Sequence, residues 1–486
     1  MILNRSKLAS ITLAVVFEII LMIPFLYALK KEFYFYQAVI IGLLILPFVL
    51  TALLQNTRKT LLVLLIISVS INPKLPIYRS YLLAYPISIE LCLSDIILLS
   101  CWIYIIAKKI NSPSEYFKIR QKYSKMFLSF YILWIAFGAF TLPFAVDKVI
   151  AIPELIGMMR ILFLYLAVPF LITKKSDLRF IAILLAVSVL LQAILIIFQY
   201  RYEDLLIRIP GGSQEFDIVA AGTLFRPAGT LGHSSHYAIL SVLILPVTLV
   251  LMQYSTGTKK FFFGLMLVLL FIALIITASR AGVGMGITGF SAILFLSRKT
   301  KTGKKLLLQS IVVLIMIFTA GWFVAGERLF DRITYDYNSA YLRIPMTKTA
   351  LEVIKHHPFG IGLNNYTLVA PGYDYYDIFS YFPFPVHNIY LLNFAELGLL
   401  GGSCLIGLLV TIVYLTFKYA EKIKEEEENK ILLQSIGIGI TCSWLIGLLG
   451  WSQRSSNIHL LYFAILAAVV TSYSVLITRH QAGLNE

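Results

Sequence analysis

Long runs of apolar residues, separated by shorter polar segments, make up most of the chain. Fourteen runs are candidate membrane-spanning helices, near 8–29, 34–54, 60–71, 88–107, 126–146, 150–173, 177–198, 231–253, 260–278, 281–297, 306–325, 386–416, 431–451 and 456–478. A helix needs roughly 20 apolar residues to cross a bilayer, and the run at 60–71 is too short for this. Because Pro73 and Pro76 follow it, we expect this run to be broken, re-entrant or extended by its neighbours. The pattern predicts an all-α integral membrane protein, a polytopic bundle of about 12–14 transmembrane helices.

Composition agrees with a membrane-embedded protein and leaves too little polar sequence for a separate soluble domain. Hydrophobic residues make up 59% of the 486 residues and charged residues 14%, and the mean hydropathy is +0.84. The first run, 8–29, is longer than the apolar core of a signal peptide and lacks an evident cleavage site. We therefore expect it to be retained as the first span.

Basic residues predict the orientation of the bundle. The chain has 41 Lys and Arg against 25 Asp and Glu, a net charge of +16, which in a soluble protein would suggest nucleic-acid binding. Cytoplasmic loops of membrane proteins retain Lys and Arg, so the basic segments 108–125 and 298–305 are predicted to lie inside. Because successive spans alternate in direction, 199–230, the turn at Ser279 and a long external loop, 326–385, are predicted to lie outside. The positive-inside rule gives the basic residues a role in orientation, so no nucleic-acid partner is expected.

A second set of cations falls on the predicted outer side, where the positive-inside rule does not account for them. We expect this set to face diphosphate, anionic glycan or lipid headgroups. This set includes Arg226, Arg280, Arg328, Arg332, Arg343, Lys348 and Lys355.

The sequence predicts no disulfide, metal or cofactor. All four cysteines lie inside apolar runs, where they are expected to be small core residues. Asp374 and Asp377 lack the Asp-x-Asp spacing and an adjacent third carboxylate, so no metal ligand set is assigned.

Six of the seven histidines lie at or near the predicted outer face. His387 directly precedes an apolar span, where the helix dipole favours the neutral imidazole that a general base requires. For the others, His233, His236, His356, His357 and His459, simple tolerance of the membrane interface is the favoured interpretation.

Two arginines on the outer side are candidates for phosphate binding. Arg280 lies between two spans with almost no loop, and an arginine at membrane depth is usually paired or functional. Arg226 lies in a glycine-rich segment before a span, where a guanidinium and backbone N–H groups can hold phosphate oxygens. A snorkelling anchor for Arg280 and a simple exposed loop charge for Arg226 are the alternatives.

Arg160 is the charge lying deepest within an apolar run. Glu154 is six residues away, so the two do not face each other on one helix. A structural ion pair with another part of the bundle is the favoured interpretation, and a lipid-phosphate contact is the alternative.

Tyrosines and phenylalanines concentrate in the long external loop. Tyr366, Tyr381 and Phe382 lie there beside other tyrosines. Such rings stack on sugars or form the aromatic belt at a membrane interface, and the belt is the favoured interpretation. Residues 347–356 are expected to form a short amphipathic helix that Pro358 ends.

Three strings, taken in order, resemble the bacterial O-antigen ligase and polymerase superfamily of membrane glycosyltransferases. They are SRAG at 279–282, HPFGIGLNNY at 357–366, and HNIY at 387–390 running to ELGLLG at 396–401. The resemblance covers roughly 220–410. It implies N-terminal transmembrane helices over 1–220, a ligase-like catalytic region over 221–410 and C-terminal helices over 411–486.

The resemblance also implies the reaction and the site. The substrate would be a glycan on undecaprenyl diphosphate, transferred to an acceptor hydroxyl on a glycan or lipid-glycan at the outer face of the cytoplasmic membrane. By motif position the catalytic histidine falls on His387 and the diphosphate-binding arginines on Arg280 and Arg226. The candidate substrate-binding residues are Asn388, His233, His236, Arg160, Tyr366 and His357.

These residues together are expected to carry an inverting displacement without metal or cofactor. Two questions stay open at the level of the sequence. Polymerase and ligase differ only in the acceptor, and a lipid-linked oligosaccharide flippase or other polysaccharide transporter is the alternative class of protein.

Overall fold

The computed structural model describes residues 56–71, 74–80, 87–111, 123–202, 215–219, 222–298, 341–423, 426–452 and 457–481, with isolated helical positions between 315 and 330. The spans expected at 8–29 and 34–54, and most of the one at 306–325, lie outside the described residues. So does the question of a retained first span.

Most of the described chain is helical. The α-helices are α1 Thr57–Ile71, α2 Leu93–Asn111, α3 Lys125–Phe140, α4 Ala151–Leu171, α5 Asp177–Arg201, α6 Ser234–Gln253, α7 Gly257–Ile276, α8 Arg280–Ser297, α9 Arg343–His356, α10 Tyr366–Val369, α11 Ile389–Glu421, α12 Glu427–Leu445 and α13 Asn457–Gln481. Short 3₁₀ turns occur at Leu142–Phe144, Ala370–Tyr373, Ile378–Ser380 and Ile446–Leu448.

Nine helices in the described part of the chain are long and apolar enough to cross a membrane. Each corresponds to one of the predicted runs, so the prediction of an all-α polytopic membrane protein is confirmed. Helix α1, Thr57–Ile71, has 15 residues, which at 1.5 Å per residue is about 22 Å, short of the roughly 30 Å hydrocarbon core.

The predicted span at 88–107 is wrong in its first part. Residues Ile87–Cys92 form strand β2, which pairs antiparallel with β1, Lys74–Ser80. Helix α2 begins only at Leu93. The alternating sequence Ile-Ser-Ile-Glu-Leu-Cys is the period-two pattern of a strand. A second hairpin pairs β3, Glu215–Val219, with β4, Gly222–Arg226, within the segment predicted to lie outside.

Helix α6 lies at the centre of the bundle. It is buried along nearly its whole length, and helices α5, α7, α8 and α12 pack around it. A helix that is apolar on all sides is expected in such a position. Two of its buried hydroxyls are satisfied locally, since Ser241 and Thr248 donate to carbonyls of the preceding turn.

Three ion pairs lie at the end of the bundle opposite α9. Arg58 and Asp177 are 2.8 Å apart and both are largely buried. Lys175 pairs with Glu426 at 3.3 Å, and Arg179 pairs with Glu428. Glu426 belongs to the acidic run 425–428, so part of that run holds loops together.

The other end carries a small folded cap, residues 341–388, with its own hydrophobic core. Helix α9 confirms the predicted amphipathic helix, beginning at Arg343 and ending at His356 just before Pro358. The cap core contains Met346, Ala350, Val353, Ile361, Tyr366, Ala370, Ile378, Val386, Leu392 and Ala395. The last two belong to α11, so the cap and the start of that helix form one packed unit.

Backbone hydrogen bonds join the cap to a break in α11. Gly398 has φ 73° and ψ 179°, which interrupts the helix. The freed carbonyls of Ala395 and Glu396 accept from Ile361 N at 3.1 Å and Gly362 N at 3.0 Å, while Leu399 N donates to Pro358 O at 2.9 Å. These three bonds replace the helical bonds that the break removes.

Glycine is required on the cap side of this junction. Gly360 has φ +91°, and a Cβ there would lie 2.5 Å from the Glu396 carbonyl oxygen. We expect Gly360→Ala to destabilise the protein by about 1–3 kcal/mol or more, because the new methyl group meets backbone that is itself hydrogen-bonded. Thermal unfolding of the detergent-purified protein measures the change.

Gly372→Ala is the matched control for this prediction. A Cβ at Gly372 meets no atom within 4 Å, so this cap variant should unfold at the wild-type temperature. Equal unfolding temperatures for the two variants would show that the junction does not depend on glycine at 360.

Candidate active site

His387 lies at the point where the cap enters α11. The next residue, Asn388, caps the helix, since its Oδ1 accepts from Tyr390 N at 3.0 Å and Leu391 N at 3.1 Å. Ile389 N donates to Gly450 O at 3.0 Å, which fixes this helix start against the α12–α13 connection. The imidazole is therefore held at the positive end of a helix.

The imidazole of His387 is half-buried, and its surroundings on balance oppose its protonation, although the backbone of Pro385 acts in the opposite direction. Burial is the largest effect, and with the nearby charges of Arg343 and His233 it lowers the pKa of His387 from 6.5 to about 4. The ring of Phe382 lies 5.6 Å from it, centroid to centroid. Within the described residues, Nδ1 of His387 is covered and makes no hydrogen bond, an arrangement that is costly unless a ligand or water completes it.

Two further histidines lie at the start of α6. The ring centroids of His233 and His236 are 5.3 Å apart. His233 Nδ1 accepts from Ser235 N at 2.9 Å, so it caps the helix, and His236 Nδ1 contacts Leu231 O at 2.8 Å. His233 lies within electrostatic range of His387, so the starts of α6 and α11 are at the same end of the bundle.

Arg226 is buried at the end of β4 and is anchored to the turn before α8. Its Nε donates to Thr277 O at 2.9 Å. Two glutamines of α5 hold the segment that follows it. Gln199 Oε1 accepts from Gly229 N at 2.8 Å, and Gln192 Oε1 accepts from Thr230 N at 3.0 Å. Arg226 is thus fixed from two sides.

Arg280 is the first residue of α8 and is half-buried. Ser279 caps the helix by accepting from Gly282 N at 3.2 Å, and Ala278 turns the chain with φ 51°. A Cβ at Gly282 would lie only 2.8 Å from the Cβ of Ala238 in α6. This close approach places Arg280 beside the start of α6, as the small-residue pattern predicted.

The structure therefore brings His387, Arg280, Arg226 and His233 to the end of the bundle that carries the cap. Helices α6, α8 and α11 begin there, and their N-termini add partial positive charge. Cationic side chains, helix N-termini and a neutral imidazole are suited to binding an anionic group next to a group that accepts a proton.

Arg160 lies apart from this group. Its Nε is 2.7 Å from Asp95 Oδ1 in α2, and its Nη2 donates to Glu90 O at 2.6 Å. Asp95 is thus the ion-pair partner from another helix that the structural interpretation of Arg160 requires.

The cap holds the other predicted substrate-binding residues. His357 Nε2 contacts the Tyr373 hydroxyl at 2.8 Å, and burial with the neighbouring His356 lowers its pKa. Tyr366 is buried in the cap core, and its N donates to the Glu396 carboxylate at 3.4 Å. Tyr366 and Asn388, the helix cap, both have clear structural roles.

Two residues near the site were not singled out as site residues by sequence reasoning. Arg343 counted only among the outer cations, yet it begins α9 and lies close enough to His387 to affect its pKa. Glu396 was noted only as the first residue of the ELGLLG string at 396–401. In the structure its buried carboxylate also accepts a hydrogen bond from Asn364 N at 3.0 Å. No local pattern marks Arg343, whereas a glutamate inside an apolar span was a visible signal for Glu396.

Comparison with known proteins agrees with the geometry. A family model described as O-antigen ligase matches residues 265–406, which include α8, the described cap and the start of α11. No curated protein matches the chain. The matched stretch contains Arg280 and His387, whereas Arg226 precedes it. Over these residues the chain is similar to O-antigen ligases, and the match supports the resemblance to the O-antigen ligase and polymerase superfamily.

Proposed function

We propose that the protein is an inverting glycosyltransferase that moves an oligo- or polysaccharide from undecaprenyl diphosphate to an acceptor hydroxyl. The observation that carries this proposal is the half-buried imidazole of His387, kept neutral by burial and by Arg343, at the bundle end that also holds Arg226 and Arg280. The O-antigen ligase family supports a reaction of the glycosyltransferase type.

The proposed reaction is one displacement at the anomeric carbon. A ring nitrogen of His387 takes the proton of the acceptor hydroxyl as its oxygen forms the new bond to that carbon. The bond to the diphosphate oxygen breaks, and the leaving diphosphate keeps the electron pair. Attack opposite the leaving group inverts the anomeric configuration.

Arg226 and Arg280 stabilise the charge that develops on the departing diphosphate. Fixed cations act more strongly in a site that excludes water than in bulk solvent. Thr277 O, which accepts from Arg226, links this arginine to the turn that begins α8. His233 and His236 are proposed to contact the donor from the start of α6. The phosphate ester of the donor supplies the free energy, so the proposed chemistry uses no metal or nucleotide.

Charge supports an outward orientation of the active site. The opposite end carries many basic residues in the described helix ends and loops, namely Arg58, Lys59, Lys174, Lys175, Arg179, Lys259, Lys260, Arg298, Lys418 and Lys422. By the positive-inside rule that end faces the cytoplasm. The cap and His387 then lie on the outer face of the cytoplasmic membrane.

Replacing the proposed base tests the assignment. We expect His387→Ala to lower the transfer rate by about 10²–10⁴-fold, because the acceptor hydroxyl loses its proton acceptor. The assay is transfer of a lipid-linked oligosaccharide by purified protein, followed by mass spectrometry. His356→Ala is the matched control, since His356 is exposed on the same cap.

Near-normal transfer by His387→Ala would contradict its role. Movement of the donor across proteoliposomes without any change in its linkage would instead indicate a transporter. In a deletion strain, accumulated single repeats would indicate a polymerase and long unattached chains a ligase.

The role of Arg280 is tested by replacing it and, as a control, by replacing Arg298 at the other end of α8. We expect Arg280→Ala to lower kcat by about 10²–10³-fold, because the leaving diphosphate loses a fixed positive charge. Arg298→Ala at the far end, where the guanidinium lies 3.7 Å from the Phe295 ring centroid, should retain wild-type kcat. Equal losses in the two variants would mean that Arg280 acts only through the stability of α8.

The acid limb of the pH profile reports the protonation of His387. The neutral imidazole is the active form, so activity is retained above its pKa and lost as the pH falls through it. For the free enzyme we expect kcat/KM to fall below a pKa of about 4. Bound diphosphate opposes the effect of Arg343, so the corresponding limb in kcat should lie at higher pH. A free-enzyme limb near 6.5 would contradict this environment for His387.

A further inference from the structure

The external cap carries a loop of exposed tyrosines, residues 373–382, which we call the tyrosine loop. Tyr375 is 83% exposed, Tyr381 62% and Tyr376 47%. Exposed aromatic side chains that lie close together commonly mark a binding surface. Sequence reasoning favoured a membrane belt for these rings, and the structure offers a different interpretation.

The backbone of the tyrosine loop is firmly held. The Asp374 carboxylate accepts from Tyr376 N at 3.1 Å and from Phe379 N at 2.9 Å. Ile378 is inserted into the cap core, and its carbonyl accepts from Phe382 N at 2.7 Å. The exposed rings therefore project from a fixed support, which reduces the entropy lost when they bind a ligand.

The loop leads directly to the proposed base. Tyr381 adjoins Phe382, whose ring lies 5.6 Å from His387 and 4.8 Å from Phe384, centroid to centroid. A chain-like ligand with one end at the His387 imidazole can thus continue outward over Phe382 and Tyr381. Phe382 thus connects the tyrosine loop to the proposed base through one ring contact and one peptide bond.

Charge separates this surface from the diphosphate site. The tyrosine loop carries Asp374 and the exposed Asp377, whereas Arg226 and Arg280 lie at the helix starts below. An anionic diphosphate or lipid headgroup is repelled by the carboxylates. A glycan presents hydroxyls that bond to carboxylates and to Lys348, whose Nζ lies 3.0 Å from the Tyr376 hydroxyl, and C–H faces that pack on aromatic rings.

We propose that the tyrosine loop is a binding subsite for the acceptor glycan, with Tyr381 and Tyr375 as its stacking platform. The inference rests on the proposed function, because it assigns the acceptor to one side of His387 and the donor diphosphate to the other. It adds a ligand class and residues that the transfer reaction alone does not specify.

Acceptor kinetics give the first test. We expect Tyr381→Ala and Tyr375→Ala each to raise the acceptor KM by about 3–10-fold, through the loss of one stacked ring, with the donor KM unchanged. Tyr381→Phe should restore the acceptor KM, because the ring remains. Tyr202→Ala is the matched control, since Tyr202 is 46% exposed at the same end of the bundle beside Phe198.

Binding without turnover gives the second test and separates this inference from the proposed function. The probes are oligosaccharides released by mild acid from the lipid-linked glycans and from the envelope polysaccharide of the source cells. Either probe should bind full-length His387→Ala protein in detergent, and its Kd should rise at least about tenfold when Tyr375→Ala and Tyr381→Ala are added.

The outcomes are distinct. Tyrosine-dependent glycan binding would support the subsite even if no transfer were detected, in which case the proposed function alone fails. Binding of neither probe, or binding unaffected by the tyrosine variants, would overturn the subsite. Variants that change only the dependence on vesicle lipid, as Tyr202→Ala would, would overturn it in favour of an aromatic belt.

Discussion

The junction between the cap and the broken helix α11 supports the rest of the active-site end. At Gly398 the helix loses its own hydrogen bonds, and the carbonyls of Ala395 and Glu396 accept instead from the backbone N–H groups of Ile361 and Gly362 in the cap. Buried backbone groups must be paired, so neither side of this junction is satisfied without the other. The two glycine conformations, at Gly360 and Gly398, make the close approach sterically possible.

This junction explains how His387, the proposed proton acceptor, is held in place at the end of the membrane spans. Leu392 and Ala395 pack in the cap core, so the first turns of α11 belong to the cap as much as to the bundle. The Glu396 carboxylate adds bonds to the backbone of Asn364 and Tyr366. His387 is consequently fixed by the folded cap in front of it and by the helix behind it, which is the support that a positioned base requires.

Local patterns predicted the spans well and the tertiary arrangement poorly. Hydrophobic runs of about 20 residues indicate spans because each helix satisfies its own backbone in lipid. The strand Ile87–Cys92 was mistaken for part of a span because apolar content was weighed above alternation. The position of His387 at a helix start followed from its neighbours in the sequence, and the turn at Arg280 from the small residues after it. The electrostatic effect of Arg343 on His387 depends on how the cap packs on the start of α11, and it joins residues 44 positions apart that no local pattern relates.

The charges near His387 are expected to lower the basicity of its imidazole in the free protein and to lower it less once the donor is bound. In the free protein, Arg343 together with burial keeps the imidazole neutral and weakly basic. In the proposed complex the donor diphosphate neutralises positive charge in the same region, which raises the basicity of the imidazole when the acceptor hydroxyl needs it. In this proposal, a diphosphate held by Arg226 and Arg280 offsets the effect of Arg343 on His387, so donor binding is coupled to the strength of the base. Water that reached an empty site would then meet a poor proton acceptor, whereas an acceptor sugar beside a bound donor would meet a better one.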